Sequence, residues 1–65
     1  MKMDVRAKIL EITKTARAQT DLDAIVTRAG GLGALFAAEF PGAARDEFLY
    51  EWDSRKMTIK NEVRS

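Results

Sequence analysis

The sequence contains no cysteine and no histidine. Disulfide reinforcement is therefore excluded, the usual zinc ligand sets are missing, and the side chains that most often act as nucleophile and general base near neutral pH are absent. Proline occurs once, at Pro41, and glycine four times, at Gly30, Gly31, Gly33 and Gly42. The chain thus has few intrinsic breakers, gathered at two places. Long apolar runs are scarce too. The longest stretch nearly free of charge, Ala29 to Phe40, has Glu39 as its one charged residue, and it falls short of the ~20 apolar residues a helix needs to cross a bilayer. The start, Met1-Lys2-Met3-Asp4-Val5-Arg6, has no uninterrupted apolar core after its basic residues, so a signal peptide is not expected and a cytoplasmic location is.

What is present is a globular composition, 46% hydrophobic and 32% charged, with too many apolar residues for a disordered chain. At 65 residues it is expected to form a single domain over 1–65, near the size at which one core barely offsets chain entropy. Without disulfides or a metal, tight helix packing or self-association has to supply the reinforcement. No cofactor and no metal are expected.

Helical periodicity runs through most of the chain. Val5, Ile9, Ile12 and Ala16 recur at spacings of four, three and four, which marks an amphipathic helix over 3–18. Leu10 lies off that face, so either the apolar face is wide or Leu10 meets a partner. Thr20, with Asp23 three positions on, reads as a cap, which starts a second helix at 21 and carries it to 29 on Leu22, Ile25, Val26 and Ala29. Gly30 suits a left-handed helix end. Three glycines inside one continuous helix would cost roughly 1 kcal/mol each, so a break or kink is expected there, followed by a helix over 32–40. Phe40-Pro41-Gly42-Ala43 then reads as a turn. Phe48, Leu49, Trp52, Ile59 and Val63 recur at helical spacing beyond it, giving a helix over 43–56, with 57–65 a frayed helix or tail. The expected fold is all-α: a small three- or four-helix domain with a Gly/Ala-rich central helix packed between amphipathic N- and C-terminal helices. Within that central segment Ala29, Gly33 and Ala37 form one line of small residues, and Gly30, Ala34 and Ala38 the next. Gly30, Gly33, Ala34, Ala37, Phe36 and Phe40 are the residues expected to serve packing or self-association.

Catalytic and nucleotide-binding patterns fail on inspection. Glu47 and Glu51 stand one helical turn apart but on a polar face, where they are solvated rather than paired. Gly31-Leu32-Gly33 opens a dinucleotide pattern, yet the third glycine would fall on Phe36 and no strand precedes it. A Gly-Lys-Ser/Thr ending is missing, and Asp21 and Asp23 lack the glycine and distal glutamate of a calcium loop. Helix, glycine turn and helix over 21–40 has the outline of a helix-turn-helix. Its second helix, however, offers no Arg, Lys, Asn, Gln, Ser or Thr to read base edges. An enzyme is not expected.

The net charge of +1 hides a pattern. Residues 1–19 hold five basic and two acidic side chains, 20–53 hold two basic and seven acidic, and 54–65 hold four basic and one acidic. In the acidic block Phe48, Tyr50 and Trp52 interleave with Asp46, Glu47, Glu51 and Asp53. Aromatics set among carboxylates can anchor a basic partner, which makes Asp46, Glu47, Tyr50, Glu51 and Asp53 the candidate partner-binding residues. The expected function is a non-enzymatic protein-interaction module, adaptor or inhibitor with a partner protein. One version is a phage or mobile-element inhibitor that occupies the basic groove of a host nucleoprotein complex. The alternatives are a small DNA-associated regulator using Lys2, Arg6, Lys8, Lys14 and Arg17 or Arg55, Lys56, Lys60 and Arg64, and a self-assembly module that forms a homodimer. No membrane association is expected, and no stretch resembles a known family closely enough to carry a site across.

Overall fold

The computed structural model describes the backbone of residues 4–64 and the side chains of residues 4–61. Among these described residues four helices follow in order: α1 Val5–Ile12, α2 Gln19–Ala29, α3 Leu32–Glu39 and α4 Arg45–Arg64. The fold is all-α, as the periodicity indicates. α4 is the longest element, and its 20 residues give a rod of about 30 Å in a molecule 36 × 23 × 18 Å across. α1 packs along α4, and α2 packs against both α3 and α4. The core consists of Val5, Ile9, Leu22, Leu35, Phe40, Phe48, Trp52 and Ile59.

α1 starts where Asp4 caps it, its Oδ1 accepting from the Ala7 amide at 3.1 Å. Residue 3, the expected start, lies outside the described residues. The helix ends at Ile12, six residues before the expected 18. Thr13 is the reason. Its hydroxyl donates back to the Ile9 carbonyl at 2.6 Å, beside the Thr13 amide, which donates to the same carbonyl at 3.0 Å. Arg55 reaches over from α4, donating from Nε to Thr13 Oγ1 at 2.9 Å and from Nη2 to the Thr13 carbonyl at 3.2 Å. A basic side chain thus covers the end of α1 where carbonyls lack helical partners. Thr13 is fully buried, and its hydroxyl both donates and accepts.

α2 begins at Gln19, two residues ahead of the expected start, and its cap differs from the expected one. Asp21, not Asp23, reaches back, and its Oδ2 accepts from the amides of Arg17 at 2.8 Å and Ala18 at 3.2 Å. Ala18 occupies the cap position and has no side-chain acceptor, so only the carboxylate half of a capping box is built. Thr20 is exposed on the helix instead.

The glycines break the helix, as their cost requires. Gly30 has φ +99° and Gly31 φ +119°, a region that disfavours side chains. The Gly30 amide donates to the Thr27 carbonyl and the Gly31 amide to the Val26 carbonyl, the paired bonds of a Schellman end. The turn after α3 is equally specific: the Ala43 amide donates to the Phe40 carbonyl at 3.2 Å, and Gly42 takes φ +82° behind Pro41, the pattern of a type II turn.

α4 starts at Arg45 and runs to Arg64, so of the frayed helix or tail expected for 57–65 the described part is helix, and Ile59, two turns beyond Trp52, is buried in the core. And α3 is not covered on several sides. It buries Leu35, half-buries Leu32 and Phe36, and places Gly33, Ala34, Ala37 and Ala38 in the open. Its large side chains all lie on one face, so one face is enough to bury them, while the exposed methyl groups present little apolar area. Phe48 of α4 provides the contact, with ring centroids 5.2 Å from Phe36, 4.7 Å from Phe40 and 5.9 Å from Trp52. Lys8 and Glu39, 3.5 Å apart, tie α1 to α3. The chain is therefore organised around α4.

Candidate interaction surface

The inner face of α4 is fixed by Phe48, Trp52 and Ile59, so residues half a turn away must face outward. Tyr50 is 72% exposed and Met57 59% exposed. They stand seven residues apart, two helical turns and about 10 Å along the axis, on one stripe. Asp46, Asp53 and Lys60, also exposed, repeat with the same period along its edge. Leu49, 39% exposed, continues the apolar part toward α3. The outer face therefore holds Tyr50 and Met57 with Asp53 between them, Asp46 toward its N-terminal end and the Lys60 ammonium toward its C-terminal end. Asp46 and Glu47 in the first turn also suit the positive end of the helix dipole.

The five candidate partner-binding residues divide between two surfaces. Asp46, Tyr50 and Asp53 share the outer stripe, and Glu47 lies exposed on its flank. Glu51 turns away and is half-buried. It lines a groove of about 110 Å³ between α1 and α4 with Arg6, Ile9, Leu10, Ser54, Arg55 and Thr58. Leu10, 46% exposed, forms an edge of that groove, which accounts for a leucine off the main face of α1. Sequence reasoning missed Met57 and Lys60 as members of the outer stripe. The signal was present in the seven-residue spacing from Tyr50 and Asp53, which the expectation of fraying after 56 hid.

The basic residues are dispersed. Arg55 is bound to Thr13 and Lys8 to Glu39. Arg6, Lys14, Arg17 and Lys60 are exposed and Lys56 is half-buried. Lys2 lies outside the described residues, as does the side chain of Arg64. Of the residues assigned to packing or self-association, Phe40 is buried and Phe36 half-buried, while Gly30, Gly33, Ala34 and Ala37 are exposed. A methyl group built on Gly33 would meet nothing within 4 Å, so no contact inside the chain requires glycine there.

Further depressions lie among the described residues. One of about 30 Å³ lies among Leu32, Gly33, Phe36, Arg45, Phe48 and Leu49. Another, about 290 Å³ and open, lies between the end of α1 and α2 and is lined by Ile12, Ala16, Asp21, Ile25 and Arg28 among others. Among the described residues no group of three acidic side chains is placed to hold a metal ion, and no helix is long and apolar enough to cross a membrane. Comparison of the chain with known protein families, with characterised proteins and with solved structures gives no match.

Proposed function

We propose that this chain is a non-enzymatic docking module of the cytoplasm whose working surface is the outer face of α4. The observation that carries the reading is the pair Tyr50 and Met57, both large and mostly exposed, set beside Asp46 and Asp53 on a helix whose opposite face is locked into the core. Exposed large apolar groups rimmed by charge mark interaction sites, and apolar anchors one or two turns apart are how a helix seats in a partner's groove. The carboxylates select a basic partner and repel an acidic one. A basic groove that otherwise holds nucleic acid fits this description, which is the mode of an inhibitor that occupies such a groove in a host nucleoprotein complex.

The test is affinity capture from host lysate, with and without nuclease treatment, using wild-type bait and the Asp46→Lys, Glu47→Lys, Asp53→Lys triple variant. A protein retained by the first and lost from the second supports the reading. Equal retention by both overturns it. Capture that disappears on nuclease treatment points instead to a DNA-associated regulator, whose binding weakens steeply with salt.

A further inference from the structure

We propose that the outer face of α4 also pairs with α4 of a second copy of this chain, antiparallel, about a two-fold axis beside Asp53. The inference rests on the reading of that face as a docking surface and names one occupant of it. Two observations converge. The exposed apolar side chains Tyr50 and Met57 lie on either side of Asp53, so an axis there brings Tyr50 of one copy to within one residue, about 1.5 Å along the axis, of the level of Met57 of the other. The flexible thioether of methionine adapts to an aromatic surface. The charges are segregated along the helix: Asp46 and Glu47 stand seven and six residues before Asp53, Lys60 seven after it, all three exposed. An antiparallel arrangement sets Asp46 of each copy opposite Lys60 of the other, twice over, because a two-fold interface repeats every contact.

A parallel arrangement would set like charges together along the whole stripe. An anionic surface, whether lipid or nucleic acid, would meet the carboxylates of the first half. Antiparallel helix dipoles favour the same choice. One contact opposes it: the two Asp53 carboxylates face each other across the axis. The interface is a single helix face, and such small contacts are weak, with a dissociation constant on the order of 0.1 mM. Because the same face serves both uses, the paired form and the partner-bound form exclude each other.

Sedimentation velocity across a concentration series tests the pairing. The expected result is a shift from 7.3 kDa toward twice that mass as concentration rises through about 0.1 mM. Asp46→Lys and Lys60→Glu each set like charges opposite one another at two places and weaken the dimer by about tenfold or more. An equimolar mixture of the two variants restores it. In that heterodimer the substituted position of one copy faces the substituted position of the other with opposite charge, and the native pair remains at the other end. Asp53→Asn removes the like-charged contact and tightens the dimer about threefold. A chain that stays at 7.3 kDa up to about 1 mM overturns the proposal, and so does a mixture of variants that associates no better than each alone. The lysate result is independent of these outcomes. A monomeric chain that captures its partner refutes only the self-pairing, and a dimer with no partner dependent on the carboxylates refutes only the docking of a basic protein.

Discussion

The contact between Arg55 and Thr13 joins the first helix to the last, 42 residues apart in sequence, and its energetic weight can be worked from its geometry. In Thr13→Val the shape of the side chain is kept and the hydroxyl removed. The Ile9 carbonyl retains the Thr13 amide as a donor, so the damage falls on Arg55, whose Nε loses its acceptor while Nη2 keeps the carbonyl. In Arg55→Met the stem that packs over α1 is largely preserved and both donors are lost. The hydroxyl of Thr13 still donates to Ile9, and its carbonyl still accepts from the Ala16 amide at 3.0 Å, so no buried group is left wholly unpaired. Hydrogen bonds from charged donors contribute about 1.5–3 kcal/mol. Arg55 is only half-buried, so each single substitution should cost about 1–2 kcal/mol, against a total near 3–10 kcal/mol for a chain of this length. The melting temperature should fall by about 5–12 °C in each. The double variant should cost little more than the worse single one, a coupling of about 1 kcal/mol, because both remove the same interaction. Thermal and urea denaturation followed by circular dichroism gives all three values. Additive costs, agreeing within about 0.5 kcal/mol, would refute the claim that these two residues act as one tie.

The glycines yield a prediction of opposite signs. Gly30→Ala, at φ +99°, should destabilise by about 1–2 kcal/mol, whereas Gly33→Ala, helical and in open space, should stabilise by about 1 kcal/mol. Chemical denaturation distinguishes them, and equal effects would show that α2 and α3 do not end and begin as described. Asp21→Ala should lose about 1 kcal/mol with the two amides it caps, measurable as faster hydrogen exchange at Arg17 and Ala18. On α4, Phe48→Ala should cost about 3–5 kcal/mol. Tyr50→Ala, two residues on, should change stability by no more than about 0.5 kcal/mol.

Where local pattern and tertiary packing agree, the sequence is a sufficient guide. The helical class, the break at Gly30 and Gly31, the turn at Pro41 and the burial of Val5, Ile9, Leu22, Phe48 and Trp52 all follow from spacing and backbone preference. The end of α1 does not. Ala16 continues the apolar period, yet Thr13 is held by a side chain from the far end of the chain, and no local rule names that partner. The cap of α2 was one pair of positions off because Thr20 and Asp21 both suit the start of a helix. Only the path of the incoming chain decides between them. The central role expected for residues 29–40 rested on their lack of charge, but an alanine-rich face needs no cover, and length gave the organising position to α4. Of the candidate surface, Tyr50 and the aspartates could be read directly. Met57 and Lys60 depended on knowing that α4 continues past Lys56.

The central claim is that α4 holds the fold together with one face and meets partners with the other. Its most direct test is a paired measurement on Tyr50→Ala, Met57→Ala: the thermal melt, and recovery of the captured protein from nuclease-treated lysate. An unchanged melt with recovery lost is the expected result. Undiminished recovery from the double variant would contradict the account.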